Sequence, residues 1–157
     1  MLDLDIVNGG LLVGSRPEDA SDVEQLRKLG VSAVLSLQSD SDLNRTGLSW
    51  AAIWRLQMER GLEVHRHAIT DFNPQDLINK LEEAVTLLDD LAARHERVYV
   101  HCTAGVNRSP SVCIAWLFMR KGRTVDEAVK EVLRRRTVAQ PYPQVLRWLR
   151  KLERQSS

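Results

Sequence analysis

The feature that most constrains this chain is an apolar strand that runs directly into a polar loop, which in turn opens an apolar helix. Residues 97–100 have the short, hydrophobic composition of a buried strand, and His101 and Cys102 follow it without a break. A helix of mostly apolar residues then begins at Ser109-Pro110. This order is typical of an α/β sheet, in which loops at the carboxyl ends of parallel strands carry the functional residues.

The rest of the chain continues the alternation of strands and helices. Residues 10–14 and 31–37 are predicted strands, and residues 63–69 are a third. The helix between the first two is expected to begin at a capping box formed by Ser21 and Glu24. Because the intervening helix returns the chain to the same end of the sheet, these strands are expected to be parallel.

Apolar stripes and capping residues indicate four more helices. They are expected over residues 49–60, from Asn73-Pro74 onward, after a capping box of Thr124 and Glu127, and from Pro143 onward. Residues 38–48 are mostly polar and are predicted to form a surface loop. The sequence therefore predicts one α/β domain over residues 1–157, with a mostly parallel twisted sheet of about four to five strands flanked by helices, and a flexible tail at about residues 155–157.

Composition excludes several classes of partner. The chain has 22 basic and 21 acidic residues, so no overall field favours nucleic acid or an anionic membrane. No apolar run reaches the roughly 18 residues that span a bilayer, and the first residues are acidic where a signal peptide would be basic. With only two cysteines, Cys102 and Cys113, a reducing compartment is the simplest expectation. We therefore expect a cytoplasmic, monomeric protein.

The loop after the central strand has the composition of a phosphate-binding and nucleophilic site. Five residues separate Cys102 from Arg108, with a glycine in the middle. Backbone N–H groups of such a loop can converge on an anion, and the N-terminus of the following helix adds a partial positive charge. Arg108 can hold two phosphate oxygens, and the same field favours the thiolate nucleophile at Cys102. The predicted phosphate-binding residues are Thr103, Ala104, Gly105, Val106, Asn107 and Arg108.

A phosphomonoester also needs a proton donor for its leaving group. Asp71 is the preferred candidate, because it follows the third predicted strand on the edge where parallel strands deliver site residues. The plain alternative for Asp71 is a turn residue before Pro74. Asp76, on the next helix, is the second candidate donor. No CxxC pair or second His/Cys cluster suggests a metal site, and no cofactor is expected.

The segment His101-Cys102-x5-Arg108-Ser109 resembles the signature of the protein tyrosine phosphatase superfamily, in its compact dual-specificity branch. The resemblance extends over the whole chain. It implies that Cys102 forms a phosphocysteine intermediate and that Asp71 first protonates the leaving group and then activates water. It also implies that Ser109 assists departure of the thiolate and that His101 hydrogen-bonds the loop and tunes the thiolate. The alternative for His101 is an ordinary buried histidine.

Within that branch the sequence is most similar to the glucan phosphatases, the group of laforin and the plant starch phosphatases. The similarity lies in the loop Cys102–Val106, in Asp71-Phe72 and in Pro141-Tyr142-Pro143. Asn107 departs from it, since that group usually has a small residue there. The resemblance implies a phosphoglucan substrate, with Phe72, Tyr142, Trp50 and Trp54 as substrate-binding candidates. The spacing of Trp50 and Trp54 also suits the inward face of a helix.

Several alternatives remain open on the sequence. A phosphoprotein substrate would use the same chemistry, and a phosphoinositide is disfavoured because the loop has no added lysines. A non-catalytic phosphate-binding module and a sulfurtransferase are more distant alternatives. Cys113 is interpreted as a core residue or as a redox partner of Cys102. The cluster Arg134–Arg136 is interpreted as a solvated helix end or as an anion site.

Overall fold

A computed structural model describes residues 1–156 of the chain. Its five strands are β1 (Leu4–Asn8), β2 (Leu11–Gly14), β3 (Ala33–Ser36), β4 (Glu63–Arg66) and β5 (Val98–His101). They form one sheet in the order β1-β2-β5-β3-β4. Only β1 is antiparallel to its neighbour, and the other pairs are parallel. The prediction of a mostly parallel α/β sheet is confirmed.

Seven helices surround the sheet in the part of the chain described. They are α1 (Ala20–Lys28), α2 (Asp40–Thr46), α3 (Trp50–Met58), α4 (Pro74–Arg94), α5 (Arg108–Arg120), α6 (Val125–Arg135) and α7 (Pro143–Ser156). None of the helices within residues 1–156 is both long and apolar enough to cross a membrane.

The two faces of the sheet bury different helices because side chains alternate along each strand. Leu11 and Val13 of β2 point into a large cluster with α4, α5, α6 and α7. Leu12 and Tyr99 point the other way, into a smaller cluster with α1 and α3. The sheet is thus covered on both sides, as its continuous apolar strands require.

Strand β5 lies at the centre of the sheet and carries the chain into the polar loop. His101 is in register with Gly14 of β2 and with Ser36 of β3. The three parallel strands therefore end at one edge. Pairing with β3 also continues beyond β4, because the N–H of His67 bonds the carbonyl of Ser36 at 2.8 Å and that of Ile69 bonds the carbonyl of Leu37 at 3.1 Å. The predicted strand 63–69 ends at Arg66, but its extension brings the next loop to the same edge.

Two expectations about local structure were wrong. Residues 38–48 are not only a loop, because they contain α2, which Ser39 and Asp42 begin with a reciprocal capping box. Helix α1 begins at Asp19, whose carboxylate accepts from the N–H of Asp22 at 2.9 Å, and not at Ser21. In both cases a short polar side chain at the N-cap, Asp19 or Ser39, accepts from the N–H three residues later.

The remaining predictions concern one capping box and the two ends of the chain. The Thr124–Glu127 capping box is confirmed. The strand β1, within the acidic start of the chain, had not been expected at all. Gln155 and Ser156 are the last residues of α7 and not a tail, while Ser157 lies outside the described residues.

Candidate active site

The loop between β5 and α5 is held from behind at five consecutive carbonyl groups, those of residues 102–106. Each accepts a hydrogen bond from His101, Arg16, Arg136 or Gln140. The contacts are His101 Nδ1 to Cys102 O (2.9 Å), Arg16 N to Thr103 O (3.1 Å), Arg136 Nη2 to Ala104 O (3.1 Å), Arg136 Nε to Gly105 O (2.6 Å) and Gln140 N to Val106 O (2.7 Å).

The direction of these carbonyls fixes the direction of the N–H groups. In a trans peptide the carbonyl of one residue and the N–H of the next point to opposite sides, and the described chain has no cis peptide bond. The N–H groups of residues 103–107 therefore lie on the face opposite the donors. Successive N–H groups on one face form a concavity that suits an anion. The sequence analysis predicted phosphate binding by these residues, and their binding of an anion stays a prediction.

Gly105 allows the loop to lie directly on strand β2. Its φ is +70°, and a Cβ there would be 2.4 Å from the carbonyl carbon of Gly14. Any side chain would clash with the backbone and would also favour a different φ. The glycine in the middle of the loop is thus needed for contact with β2 as well as for curvature.

Cys102 lies at the start of the loop and is almost fully buried, with 3% of its surface exposed. Its Sγ is 3.3 Å from the Oγ of Ser109 in the first turn of α5. That helix begins without a side-chain cap from Asn107, so the positive end of its dipole faces the loop. The sulfur is therefore close to a hydroxyl group and to a field that favours negative charge.

Arg108 is buried, and its guanidinium is held along one edge. Nη1 donates to Asp42 Oδ2 at 2.6 Å and to the carbonyl of Ile69 at 2.8 Å. Nη2 is 3.1 Å from Asp71 Oδ2. Nε is buried and has no hydrogen-bond partner among residues 1–156. Because Nε and Nη2 form one edge of the guanidinium, this edge suits a bidentate oxyanion.

Asp42 is a site residue that the sequence analysis missed. Its side chain is buried on α2, next to Arg108. Burial acts to raise the pKa of Asp42, but hydrogen bonds from Arg108 and Ser39 outweigh it and hold the pKa below its ordinary value. The available signal was the Ser-x-x-Asp spacing from Ser39, a short form of the capping-box pattern.

Asp71 lies beside Arg108 at the cavity, whereas Asp76 binds the backbone just before Asp71. One oxygen of Asp71 accepts from the N–H of Phe72 at 3.0 Å, and the other faces Arg108. Asp76 instead accepts from the N–H of Thr70 at 2.7 Å and from Lys80 at 3.1 Å, which keeps its pKa low although burial opposes this. These contacts favour Asp71 over Asp76 as the proton donor.

His101 is fully buried below the loop and stacks on Tyr99, with ring centroids 5.7 Å apart. Burial lowers the pKa of His101 to about 4, so the ring is neutral near pH 7. Since the carbonyl of Cys102 can only accept, Nδ1 carries the ring proton and donates it to that carbonyl. The neutral ring thus orients the first peptide of the loop.

A cavity of about 360 Å³ opens over Cys102 and Arg108. It is lined by Asp71, Phe72, Cys102, Ala104, Val106, Asn107, Arg108, Gln140 and Tyr142. Phe72 is 80% exposed at its rim and has a φ of +57°. The hydroxyl of Tyr142 is buried and unpartnered within residues 1–156, and burial raises its pKa. The cavity therefore combines Phe72 and Tyr142 with the predicted catalytic residues.

Trp50 and Trp54 do not line this cavity. Trp50 is half-buried, and the guanidinium carbon of Arg66 lies 5.2 Å from its ring centroid. Trp54 is partly exposed on the outer side of α3. The structure brings neither of the two together with Cys102.

Burial separates the alternatives for Cys113 and for the cluster Arg134–Arg136. Cys113 is fully buried in the large cluster, and burial raises its pKa, which favours the interpretation as a core residue. Arg134 and Arg135 are exposed, but Arg136 is completely buried behind the loop. The interpretation of Arg136 as a solvated helix end was wrong, because its donors bind loop carbonyls and two carboxylates.

Comparisons with known proteins agree with this geometry. The model of the dual specificity phosphatase catalytic domain matches residues 12–155. An amyloplastic phosphoglucan phosphatase from Castanea sativa is 34% identical over 129 residues, which cover 81% of this chain and 34% of the relative. Human dual specificity protein phosphatase 4 is 28% identical over 118 residues, covering 75% of this chain and 27% of the relative.

A solved structure is similar over nearly the full length. Tk-PTP in its active form has 25% sequence identity and a TM-score of 0.78, with 96% of each chain covered. In contrast, the chain spans only about a third of the length of the two curated relatives, 34% and 27%.

Proposed function

Because the chain belongs to the family of dual specificity phosphatase catalytic domains, we propose that it hydrolyses phosphate monoesters through a phosphocysteine intermediate. The observation that carries this proposal is the loop of residues 102–108. It combines a sulfur nucleophile, a row of N–H groups on one face and a buried guanidinium whose Nε has no hydrogen-bond partner within residues 1–156.

In the first step, Sγ of Cys102 attacks phosphorus and the bond to the leaving oxygen breaks. Asp71, from its place above the loop, donates the proton that this oxygen needs. The negative charge of the transferring group is met by the N–H groups of residues 103–107 and by the Nε–Nη2 edge of Arg108. Asp71 is bonded to Nη2 in this structure, so a bound phosphate would compete for that donor and turn the carboxyl group towards the leaving oxygen.

In the second step, water attacks the phosphocysteine and the S–P bond breaks. Asp71, now a carboxylate, accepts a proton from the water. The sulfur leaves as a thiolate, which the hydroxyl of Ser109 can stabilise by donating a hydrogen bond across the 3.3 Å contact. Neutral His101 keeps the first loop peptide in place throughout.

Activity is tested with an aryl phosphate and two variants. The wild type should release phosphate, whereas Cys102→Ser should release none at a detectable rate, since the weaker hydroxyl nucleophile replaces the thiolate. Cys113→Ser is the matched control and should retain activity. Turnover by Cys102→Ser would refute covalent catalysis at this residue, and an inactive wild type that binds phosphate would favour the non-catalytic module.

For the substrate we propose a phosphoglucan. Support comes from Phe72 and Tyr142, whose rings stand at the cavity over Cys102, as sugar rings prefer aromatic faces. The Castanea sativa relative is named a phosphoglucan phosphatase. Trp50 and Trp54 lend no support, because they lie elsewhere. A phosphoprotein is the second candidate, favoured by the human dual specificity protein phosphatase relative.

Phosphate release from phosphorylated amylopectin and from phosphopeptides separates these substrates. We expect higher kcat/KM on amylopectin, and a Phe72→Ala or Tyr142→Ala variant should lose about tenfold or more of it while keeping aryl-phosphate turnover. Trp54→Ala is the control and should match the wild type. Peptide turnover without any release from amylopectin would replace the glucan assignment with the protein one.

Compartment and assembly stay predictions. A reducing location fits Cys102 and Cys113, which are both free thiols. The Castanea sativa relative is named as amyloplastic, so a plastid-like compartment is the alternative to the cytoplasm. The expected monomer can be checked by light scattering of the purified chain.

A further inference from the structure

Arg136 lies directly after α6 and is fully buried, yet every donor of its guanidinium has an acceptor. Nε donates to Gly105 O at 2.6 Å, and Nη2 donates to Ala104 O at 3.1 Å and to Asp3 Oδ2 at 3.0 Å. Nη1 donates to Asp3 Oδ1 at 3.1 Å and to Asp5 Oδ2 at 2.9 Å. A guanidinium has five N–H groups, so the set is complete.

A helix end alone does not require this arrangement. A cation at the last turn of a helix usually stays in water, where it already favours the dipole. Burying the charge of Arg136 carries a large desolvation cost that only its paired carboxylates offset. Asp3 lies just before β1 and Asp5 lies within it, so the start of the chain, the loop after β5 and the end of α6 meet at this one side chain.

The two loop carbonyls that Arg136 binds belong to the peptides that carry the N–H groups of Gly105 and Val106. Holding a carbonyl on one side keeps the N–H of the same peptide on the other side. The peptide after Gly105 is the easiest in the loop to rotate, because glycine has access to many backbone conformations. Rotation there would turn a carbonyl oxygen, in place of an N–H, towards the bound phosphate.

We propose that Arg136 is a positioning residue for phosphate binding, which fixes the peptides of Ala104 and Gly105 so that the N–H groups of Gly105 and Val106 face the phosphate. Asp3 and Asp5 hold Arg136 in place, and so β1 is part of the support of the phosphate loop. This inference rests on the proposed function, since it concerns the same anion site.

The proposal is tested by titrating the protein with tungstate, an oxyanion that resembles phosphate and binds without turnover. Kinetics with an aryl phosphate are measured alongside. Arg136→Lys keeps the positive charge next to Asp3 and Asp5, but an ammonium group cannot match the planar fork that reaches both carbonyls. Its tungstate Kd should rise about tenfold or more, and kcat/KM should fall by about 10²-fold, at a temperature where circular dichroism shows it folded. Arg136→Met should show the larger effect.

Val132→Ala is the matched control, because Val132 is a buried apolar residue of α6 whose truncation should destabilise the fold while removing no hydrogen bond to the loop. Its tungstate Kd should stay within about twofold of the wild type. Folded Arg136→Lys with a wild-type Kd would overturn the proposal. If both Arg136 variants fail to fold, Asp5→Asn tests the proposal in their place. Its Kd for tungstate should rise about two- to threefold, and an unchanged Kd would contradict the proposal.

The same data separate the two proposals. A wild type that binds no tungstate and hydrolyses no aryl phosphate would overturn the proposed function and this inference together. A wild type that does both, with an unaffected Arg136→Lys variant, would overturn the positioning role alone.

Discussion

Arg108 is paired with two carboxylates whose surroundings differ. The side chain of Asp42 is almost fully buried and accepts a hydrogen bond from Nη1, whereas the side chain of Asp71 is 22% exposed and lies at Nη2. A buried partner cannot exchange with water, so Asp42 is suited to hold the guanidinium permanently. The more accessible Asp71 can leave Arg108 when an anion binds. This difference suits Asp42 to support of Arg108 and Asp71 to the proton transfer that we propose for it.

Asp42→Ala should destabilise the protein by about 3 kcal/mol, because it leaves a buried guanidinium without its main partner. Urea unfolding measures the difference. Asp40→Ala is the matched control on the same helix, since Asp40 pairs with Arg66 but is 84% exposed. Its cost should stay below about 1 kcal/mol. Equal costs for the two variants would contradict the role of burial.

Asp71→Asn should lower kcat for alkyl phosphates by about 10²- to 10⁴-fold, because the amide cannot protonate a poor leaving group. Aryl phosphates with a good leaving group need little protonation and should lose much less. Asp76→Asn is the comparison. Its main effect should be a loss of stability, with little change in kcat, because Asp76 bonds Thr70 and Lys80. An equal loss for both substrate types in Asp71→Asn would argue against a general acid.

At the scale of elements, the site depends on contacts between segments that are distant in sequence. The loop after β5 lies on the end of β2 through Gly105 and Gly14. Helix α2 brings Asp42 to Arg108, and the segment beyond β4 follows β3 long enough to bring Asp71 over the loop. The parallel register is what places these ends at one edge.

Gly105→Ala should abolish tungstate binding and cost clearly more stability than a positive φ alone explains. Gly47 is the matched control, because its φ of +71° is close to the +70° of Gly105 but no atom lies within 4 Å of a Cβ placed there. Gly47→Ala should therefore cost only about 1 kcal/mol and leave activity unchanged. Urea unfolding and tungstate titration compare the two. Similar behaviour of both variants would show that the contact with Gly14 is unimportant.

At the scale of the whole molecule, two apolar clusters enclose the sheet, and the neutral ring of His101 is buried at its active-site edge. Burying an imidazole favours its neutral form, which makes the whole fold sensitive to acid. Unfolding exposes the ring to water, where it binds a proton at its ordinary pKa of 6.5 and not at about 4. Global stability must therefore respond to pH through this residue.

Stability should fall as the pH falls from about 6.5 to about 4, because unfolding takes up a proton at His101 in this range. The contribution of His101 to this loss is roughly 3 kcal/mol at pH 4. Urea unfolding at pH 7 and pH 4 measures the loss of stability in the wild type and in His101→Asn, whose amide can still donate to the carbonyl of Cys102. The wild type should lose about 3 kcal/mol more than the variant. An identical pH dependence in both proteins would contradict the neutral buried ring.

Short-range sequence patterns were enough to predict the local parts of this protein. The strand-loop-helix order at residues 97–109 predicted the loop between β5 and α5, because apolar periodicity and glycine placement act over a few residues. The long helix after Asn73-Pro74 and the capping box of Thr124 and Glu127 were also readable from neighbouring residues. Local patterns of this kind reflect hydrogen bonds that close within one turn.

The distant side chains that support that loop come together only through the packing of the folded elements. Asp42 had been part of a predicted surface loop and Arg136 part of a predicted solvated helix end, yet both are buried against the active site. Trp50 and Trp54, which the resemblance offered as substrate-binding candidates, do not line the cavity. Pairing of buried charges depends on which elements meet in space, and no pattern within a single segment carries that information.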